Sequence, residues 1–467
     1  MGVVVRVDLL RHQQTMMMTM DDEENNVPSS STDNEFLLLG GIASIGEYYV
    51  YAYVDDQKLR LQVDTGSSSL VVAGNGCANC SSRSLVKWNR EDVVPCDGKI
   101  CSQCFDGTDS CGFRLKYGDD TPMYNLEASG VVLQTDVRLS KDGENISKVT
   151  VYVIQKEVGL WPKKVDGILG MAFEKLNCNP TCFEPAWHSF APANAQGGFD
   201  ICMGDVGGKL SFFGKRSSKT SATAHDELRL DILGNPKMYY AVRTRGLAIE
   251  DSNEEDRFFL FTGPSPGGSA QRFAIVDTGT TLLIVPQAIW NSFVNHMQSR
   301  FCHLDGVCGY PTIFDHPQSN EAVCLTESPL DSFPTLALIL GDGAIKLPPS
   351  LYFIRYEHSV YCLGIQPGPV LVVGDAVLRG FTVSFGPDTV TFTSQDREEG
   401  CGEIFGFKPK EDLVIPHVGH IGIVHHQMST YSFVRGLISF GILLVLLYIL
   451  VQAWRRYMRR RLGYTEL

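Results

Sequence analysis

The chain is poor in positive charge. Its 40 lysines and arginines face 53 acidic residues, a formal net charge of −13. It therefore has no broad basic face of the kind that holds a nucleic-acid backbone. Helical periodicity is also scarce, with PQAIWNSFVNHMQSRF (286–301) the best example, which argues against a mainly helical body. An export signal is missing, because MGVVVRVDLL has no convincing apolar stretch before Arg11. The expectation is that the start of the chain lies upstream. Targeting by an apolar segment farther along is the alternative.

What is present is the composition of a folded protein. With 44% hydrophobic and 20% charged residues, wholesale disorder is excluded. A length of 467 residues gives room for two or three domains. Residues 12–35 are polar and acidic, with DDEENN and SSST, so 1–35 reads as a disordered N-terminal segment. Fourteen cysteines are more than a cytosolic chain usually carries and suggest an oxidising compartment.

The far end points the same way. GLISFGILLVLLYILVQAW (436–454) contains no charged residue and just reaches spanning length. RRYMRRR follows at once, and such a cluster stays on the cytoplasmic side. The reading is a single-pass type I membrane protein, with a transmembrane helix at 436–454 and a cytoplasmic tail at 455–467. A juxtamembrane stalk at 401–435 precedes the helix, and the rest of the chain is luminal or extracellular, in the secretory or endomembrane system. A buried core helix would leave five terminal arginines unexplained, and a glycolipid anchor signal normally lacks a basic tail.

Between these ends the pattern is β-like. YYVYAYV (48–54), LRLQV (59–63), VVLQTDVRL (131–139), VTVYVI (149–154) and VTFT (390–393) are rich in β-branched and aromatic residues, with Gly, Asn and Asp between the runs. One of these runs leads into LQVDTGSSSLVV (61–72), an acid between two apolar stretches. Alone, it could be a turn. AIVDTGTTLLIV (274–285) restates it, and each copy is followed by an apolar pair ending in Gly: DGILG (166–170) and VLVVGD (370–375). Four elements in the same order mark two halves built on one plan, which makes Asp64 and Asp277 a pair.

These motifs resemble those of the pepsin-like aspartic proteases, from about Leu38 to Ser394. The resemblance implies an all-β, bilobal acid-protease fold with a few short helices: an N-terminal catalytic lobe at 36–215 and a C-terminal catalytic lobe at 216–400. It implies an endopeptidase acting on polypeptides, without cofactor or metal and as a monomer. Asp64 and Asp277 would share one proton and activate a water for attack on the peptide carbonyl, with no covalent intermediate. Gly66 and Gly279 would let backbone N–H groups approach the carboxylates, and Ser67 and Thr280 would donate hydroxyl hydrogen bonds to them. Thr65 and Thr278 would tie the two loops together. FRLKYGDD (113–120) falls where the family has its flap, with Tyr117 and Gly118 at the substrate. Val71 stands where pepsin has a Trp after DTGSSNL, and the segment after Tyr117 is longer than in pepsin. A basic autoinhibitory propeptide, usual in many members, is not visible: residues 1–35 hold only Arg6 and Arg11 as cations.

Six cysteines, Cys77, Cys80, Cys96, Cys101, Cys104 and Cys111, lie between the first aspartate and the flap. The insert at 77–111 is similar to that of nepenthesins and plasmepsin V. CANC and CSQC fit a zinc-ribbon spacing, so disulfides and zinc both remain open, with the oxidising lumen favouring disulfides. Connectivity cannot be read from sequence. Asn145-Ile-Ser147 and Asn79-Cys-Ser81 are glycosylation sequons, and His417, His420, His425 and His426 cluster before the membrane. Two other classes stay in view. One is a catalytically silent binding protein on the same fold, and the other is an adhesion protein, for which no feature speaks.

Overall fold

Apolar runs four to eight residues long, rich in Val, Ile and aromatics and broken by Gly, Asn and Asp, form strands because branched side chains pack well on a pleated surface. A computed structural model describes residues 3–8, 35–42, 46–80, 84–98, 100–101, 103–117, 126–141, 146–158, 165–178, 182–191, 197–205, 207–213, 227–250, 257–260, 273–315, 321–326, 330–357, 360–394, 401 and 407–408. The stalk beyond 408, the segment 436–454 and the tail lie outside the described residues. So do Gly118, Asn145 and the four clustered histidines. Among the described residues no helix is long and apolar enough to cross a membrane.

The body is mostly β. The β-like runs named above fall in observed strands, Glu47–Val54, Gln57–Asp64, Leu126–Arg138, Ile146–Val158 and Thr389–Ser394, with Leu139 alone lying one residue past its strand. The periodic segment forms the helix Gln287–Arg300, which buries Ile289, Trp290, Phe293 and Met297 on one face.

The two halves repeat one arrangement. Gln57–Asp64 runs parallel to Gly167–Gly170, which pairs on its other side, antiparallel, with Leu70–Ala78. Likewise Phe273–Val276 runs parallel to Leu371–Val373, whose Val372 pairs antiparallel with Ile284. In each half, then, the Gly-ended strand passes between the strand that leads to the acid and the strand that leaves it. A Cβ at Gly170 would overlap backbone atoms of Ser68 and Ser69, and one at Gly374 the carbonyls of Thr280 and Leu282. Only glycine permits so close a crossing.

The halves are joined by hydrogen-bonded backbone. Thr389–Ser394 and Phe381–Phe385, from the C-terminal half, continue the sheet through Gly198–Met203 and Gly208–Phe213 to Glu35–Gly41. The expected lobe boundary at 215/216 falls in 214–226, outside the described residues. One core runs through both halves, from Leu38, Tyr48 and Leu61 to Phe381, Phe385 and Phe392.

The N-terminal segment expected to be disordered contains a strand. Val3–Asp8 pairs antiparallel with Glu321–Thr326, register Val3 to Thr326 through Asp8 to Glu321. VVVRVD has the β-branched content a strand requires, and Glu321–Thr326 offers it an edge beyond its other partner, Val360–Leu363.

All fourteen cysteines are paired. The insert holds Cys77–Cys80, Cys96–Cys104 and Cys101–Cys111. The others are Cys178–Cys182, Cys202–Cys401, Cys302–Cys308 and Cys324–Cys362. The zinc alternative for CANC and CSQC is thereby removed, since every sulfur of both motifs is spent in a disulfide.

Candidate active site

Asp64 ends a buried strand and Asp277 follows one directly, so each acid sits where a β ladder gives way to a loop. Each loop folds back on its own carboxylate. The Gly66 N–H donates to Asp64 Oδ1 at 2.8 Å and the Ser67 hydroxyl to Oδ2 at 2.5 Å. At the second loop the Gly279 N–H donates to Asp277 Oδ1 at 2.8 Å and the Thr280 hydroxyl to Oδ2 at 2.6 Å. The backbone donor two residues on and the hydroxyl donor three residues on are identical in the two copies. That identity is what the repeated Asp-Thr-Gly-Ser/Thr encodes.

The loops also grip one another. The Thr65 hydroxyl donates to the Val276 carbonyl at 3.0 Å, and the Thr278 hydroxyl to the Val63 carbonyl at 2.7 Å. Each hydroxyl oxygen then accepts the other threonine's backbone N–H, at 3.0 and 3.1 Å. Both threonines are buried, so this four-bond ring lies in a medium where an unmade bond is costly. The glycines serve a second purpose that the sequence did not suggest. A Cβ at Gly66 would strike the Asp277 carboxylate, and one at Gly279 the Asp64 carboxylate. Each glycine therefore clears space for the opposite acid as well as offering an N–H to its own.

Electrostatics follow from this crowding. Burial pushes the Asp64 carboxyl well above its usual range, the charge of Asp277 adds to the rise, and the bonds from Ser67 and Gly66 oppose it. Two carboxyls so placed titrate as a pair. A pair holding one proton offers an acceptor and a donor side by side.

Three further residues border the dyad and carried no signal in the sequence reading. Tyr239 is half-buried, and its hydroxyl is held protonated by burial and then by the charges of Asp277 and Asp64. Gln62, two residues before Asp64, donates from Nε2 to the Gly279 carbonyl at 3.4 Å. Asp375 closes the quoted VLVVGD, and its N–H donates to the Thr280 carbonyl at 2.8 Å. Asp375 follows the second Gly-ended strand where Met171 follows the first, so the repeat does not mark it. Gln62 stands in LQVDTGSSSLVV where AIVDTGTTLLIV has Ile275, a departure that could have marked it, and Tyr239 lies in no motif.

Tyr117 ends the strand Gly112–Tyr117 opposite Leu126 in an antiparallel hairpin. Gly118 and the rest of the flap tip lie outside the described residues. Val71, where pepsin has Trp, is fully buried in a cluster with Phe113, Tyr152, Phe183 and the Cys101–Cys111 disulfide. The insert thus supplies apolar volume at this point. The serines beyond Ser67 are structural: Ser68 donates to the Phe173 carbonyl at 2.9 Å and Ser69 to Asn177 Oδ1 at 2.6 Å.

Comparison with known proteins agrees with this geometry. A family model described as eukaryotic aspartyl protease matches residues 53–394. The chain is 27% identical over 339 residues to Rhizopuspepsin-4 of Rhizopus niveus, covering 71% of this chain and 72% of the relative. It is 25% identical over 344 residues to gastricsin of Callithrix jacchus, covering 70% of this chain and 74% of the relative.

Proposed function

This chain belongs to the eukaryotic aspartyl protease family, and from that premise we propose that Asp64 and Asp277 are the catalytic dyad of the enzyme. As a pepsin-like aspartic endopeptidase it hydrolyses peptide bonds in polypeptides. The observation that carries the assignment is the symmetry of the two loops, each with an N–H on one carboxylate oxygen and a hydroxyl on the other.

With one proton shared between them, the ionised carboxyl takes a proton from a water lying between the two acids. The protonated carboxyl donates to the scissile carbonyl oxygen as the water oxygen bonds to its carbon. The resulting tetrahedral diol collapses when one carboxyl passes its proton to the leaving nitrogen and the other takes the proton of a diol hydroxyl; the C–N bond breaks and the pair again holds one proton. Ser67, Thr280 and the two glycine N–H groups hold the shared charge in place throughout. The ring formed by Thr65 and Thr278 keeps the two acids in register. Tyr117 and Gly118 close over the substrate from the flap.

The same reading includes a single-pass anchor at 436–454, a cytoplasmic tail at 455–467 and a luminal catalytic body carrying an insert similar to those of nepenthesins and plasmepsin V. The apolar run, its arginine flank and the seven disulfides support it.

Turnover of a peptide in 18O-labelled water tests the mechanism. One heavy oxygen in each new carboxyl terminus, with no covalent enzyme adduct in the intact mass, is the expected result. A trapped acyl-enzyme would refute it.

A further inference from the structure

Gln62 is polar where the fold asks for an apolar residue. On the strand Gln57–Asp64 its neighbours Leu61 and Val63 point into the core and are essentially unexposed. Side chains alternate along a strand, so Gln62 emerges on the same face as Asp64. Laterally it is paired with Tyr49 on one side and with Ile168 on the other. It is only 6% exposed, and burying an amide beside two aromatic or aliphatic neighbours costs stability unless its polar ends are used.

One end is used. Nε2 donates across the junction to the Gly279 carbonyl, in the loop that carries the second acid. The other end, Oε1, has no donor among the described residues and is not one of the buried atoms sealed from solvent without a partner. A side-chain amide has two donors on nitrogen and two acceptor sites on oxygen. Here the donor end is anchored and the acceptor end is open, on the face that bears the catalytic acid. The charge beside it is negative: Asp64 and Asp277 act on one another at the loop that Gln62 bonds.

We infer that Gln62 is a specificity-determining residue: its open carbonyl selects peptides whose side chain beside the scissile bond carries a hydrogen-bond donor (a hydroxyl, amide or ammonium group) over an aliphatic side chain of equal size. This rests on the endopeptidase reading. An acceptor held rigidly in a nearly dry position rejects an aliphatic partner, because that partner leaves the acceptor desolvated and unpaired. The acidic surroundings add to this by favouring cationic donors and disfavouring Asp and Glu.

Matched peptides that differ only by Thr against Val, or Lys against norleucine, at each position flanking the cleaved bond test the inference. The wild-type enzyme should favour the donor-bearing member at one position by about tenfold in kcat/KM. Gln62→Met should bring that ratio close to one. Gln62→Glu keeps an acceptor oxygen and adds charge, so it should retain the Thr preference and steepen the preference for Lys. The inference is overturned if the wild type prefers the aliphatic member at every position, or if Gln62→Met leaves the ratio unchanged. Should Gln62→Met not fold, the wild-type ratio and its response to Gln62→Glu decide the matter. A wild-type enzyme that cleaves neither series overturns the endopeptidase reading itself, and this inference with it.

Discussion

A carboxyl group folded away from water must keep its proton or find a cation. Among the described residues Asp375 finds none: it is 1% exposed and its Oδ1 accepts no hydrogen bond there. Arg379, one helical turn on, gives its guanidinium to Asp205 and to the carbonyls of Ser350, Leu351 and Phe353. Burial first, and then the charges of Asp277, Glu47 and Asp64, hold the Asp375 carboxyl well above its ordinary value of 3.8. The native state therefore keeps a proton that the unfolded chain releases near pH 4. The stability this contributes is complete below pH 4 and falls as the pH climbs from there toward the folded-state value. Asp375→Asn removes that dependence at almost constant shape. Thermal unfolding followed from pH 3 to 7 should show equal midpoints for wild type and variant at pH 3, with the variant more stable at pH 7. Parallel curves across the range would contradict this account.

In the proposed mechanism the element that sets the geometry is the pair of crossed loops, and its hydroxyl ring is open to a direct test. Thr278→Val removes the bond to the Val63 carbonyl and leaves the buried Thr65 N–H without an acceptor. A buried donor stranded in this way costs about 1–3 kcal/mol. Misplacing one acid by roughly 1 Å costs about a hundredfold in rate. Denaturant unfolding of Thr278→Val should show the loss in stability, and kcat should drop more than KM changes. Equal kcat in the variant would mean that the ring does not align the acids. These loops were legible in the sequence because the acids, threonines, glycines and hydroxyls repeat at fixed offsets, and the bonds on each carboxylate come from residues two and three positions on. The strands were legible from their branched and aromatic content. Cysteine pairing was not, because it depends on which sulfurs the chain's turns bring together: Cys96 passes over Cys101 to reach Cys104, while Cys101 closes on Cys111. Gln62 and Tyr239 were silent because what they border lies far from them along the chain, Gly279 for Gln62 and both acids for Tyr239, and no spacing along the sequence records that meeting. The strand Val3–Asp8 was hidden by the polar residues that follow it and by a partner more than three hundred residues away.

At the scale of the whole molecule, the repeated half is the unit from which the enzyme is built, and neither half holds a complete site. Asp64 needs Asp277 to share its proton, Thr65 needs Thr278, and each glycine makes room for the opposite acid. The anchor at 436–454 places this body at a membrane in the proposed reading. Full-length protein should then stay with membranes through alkaline carbonate extraction and be released by deletion of 436–454, whereas extraction of the full chain would refute the anchor. The dyad itself is tested most directly by incubating the catalytic body with a peptide library from pH 3 to 7, as wild type and as Asp64→Asn. The wild type should cleave. The variant, whose asparagine keeps the shape of the loop but cannot share a proton, should lose at least about a thousandfold in rate at every pH while its unfolding remains cooperative. Undiminished cleavage by folded Asp64→Asn would contradict the account.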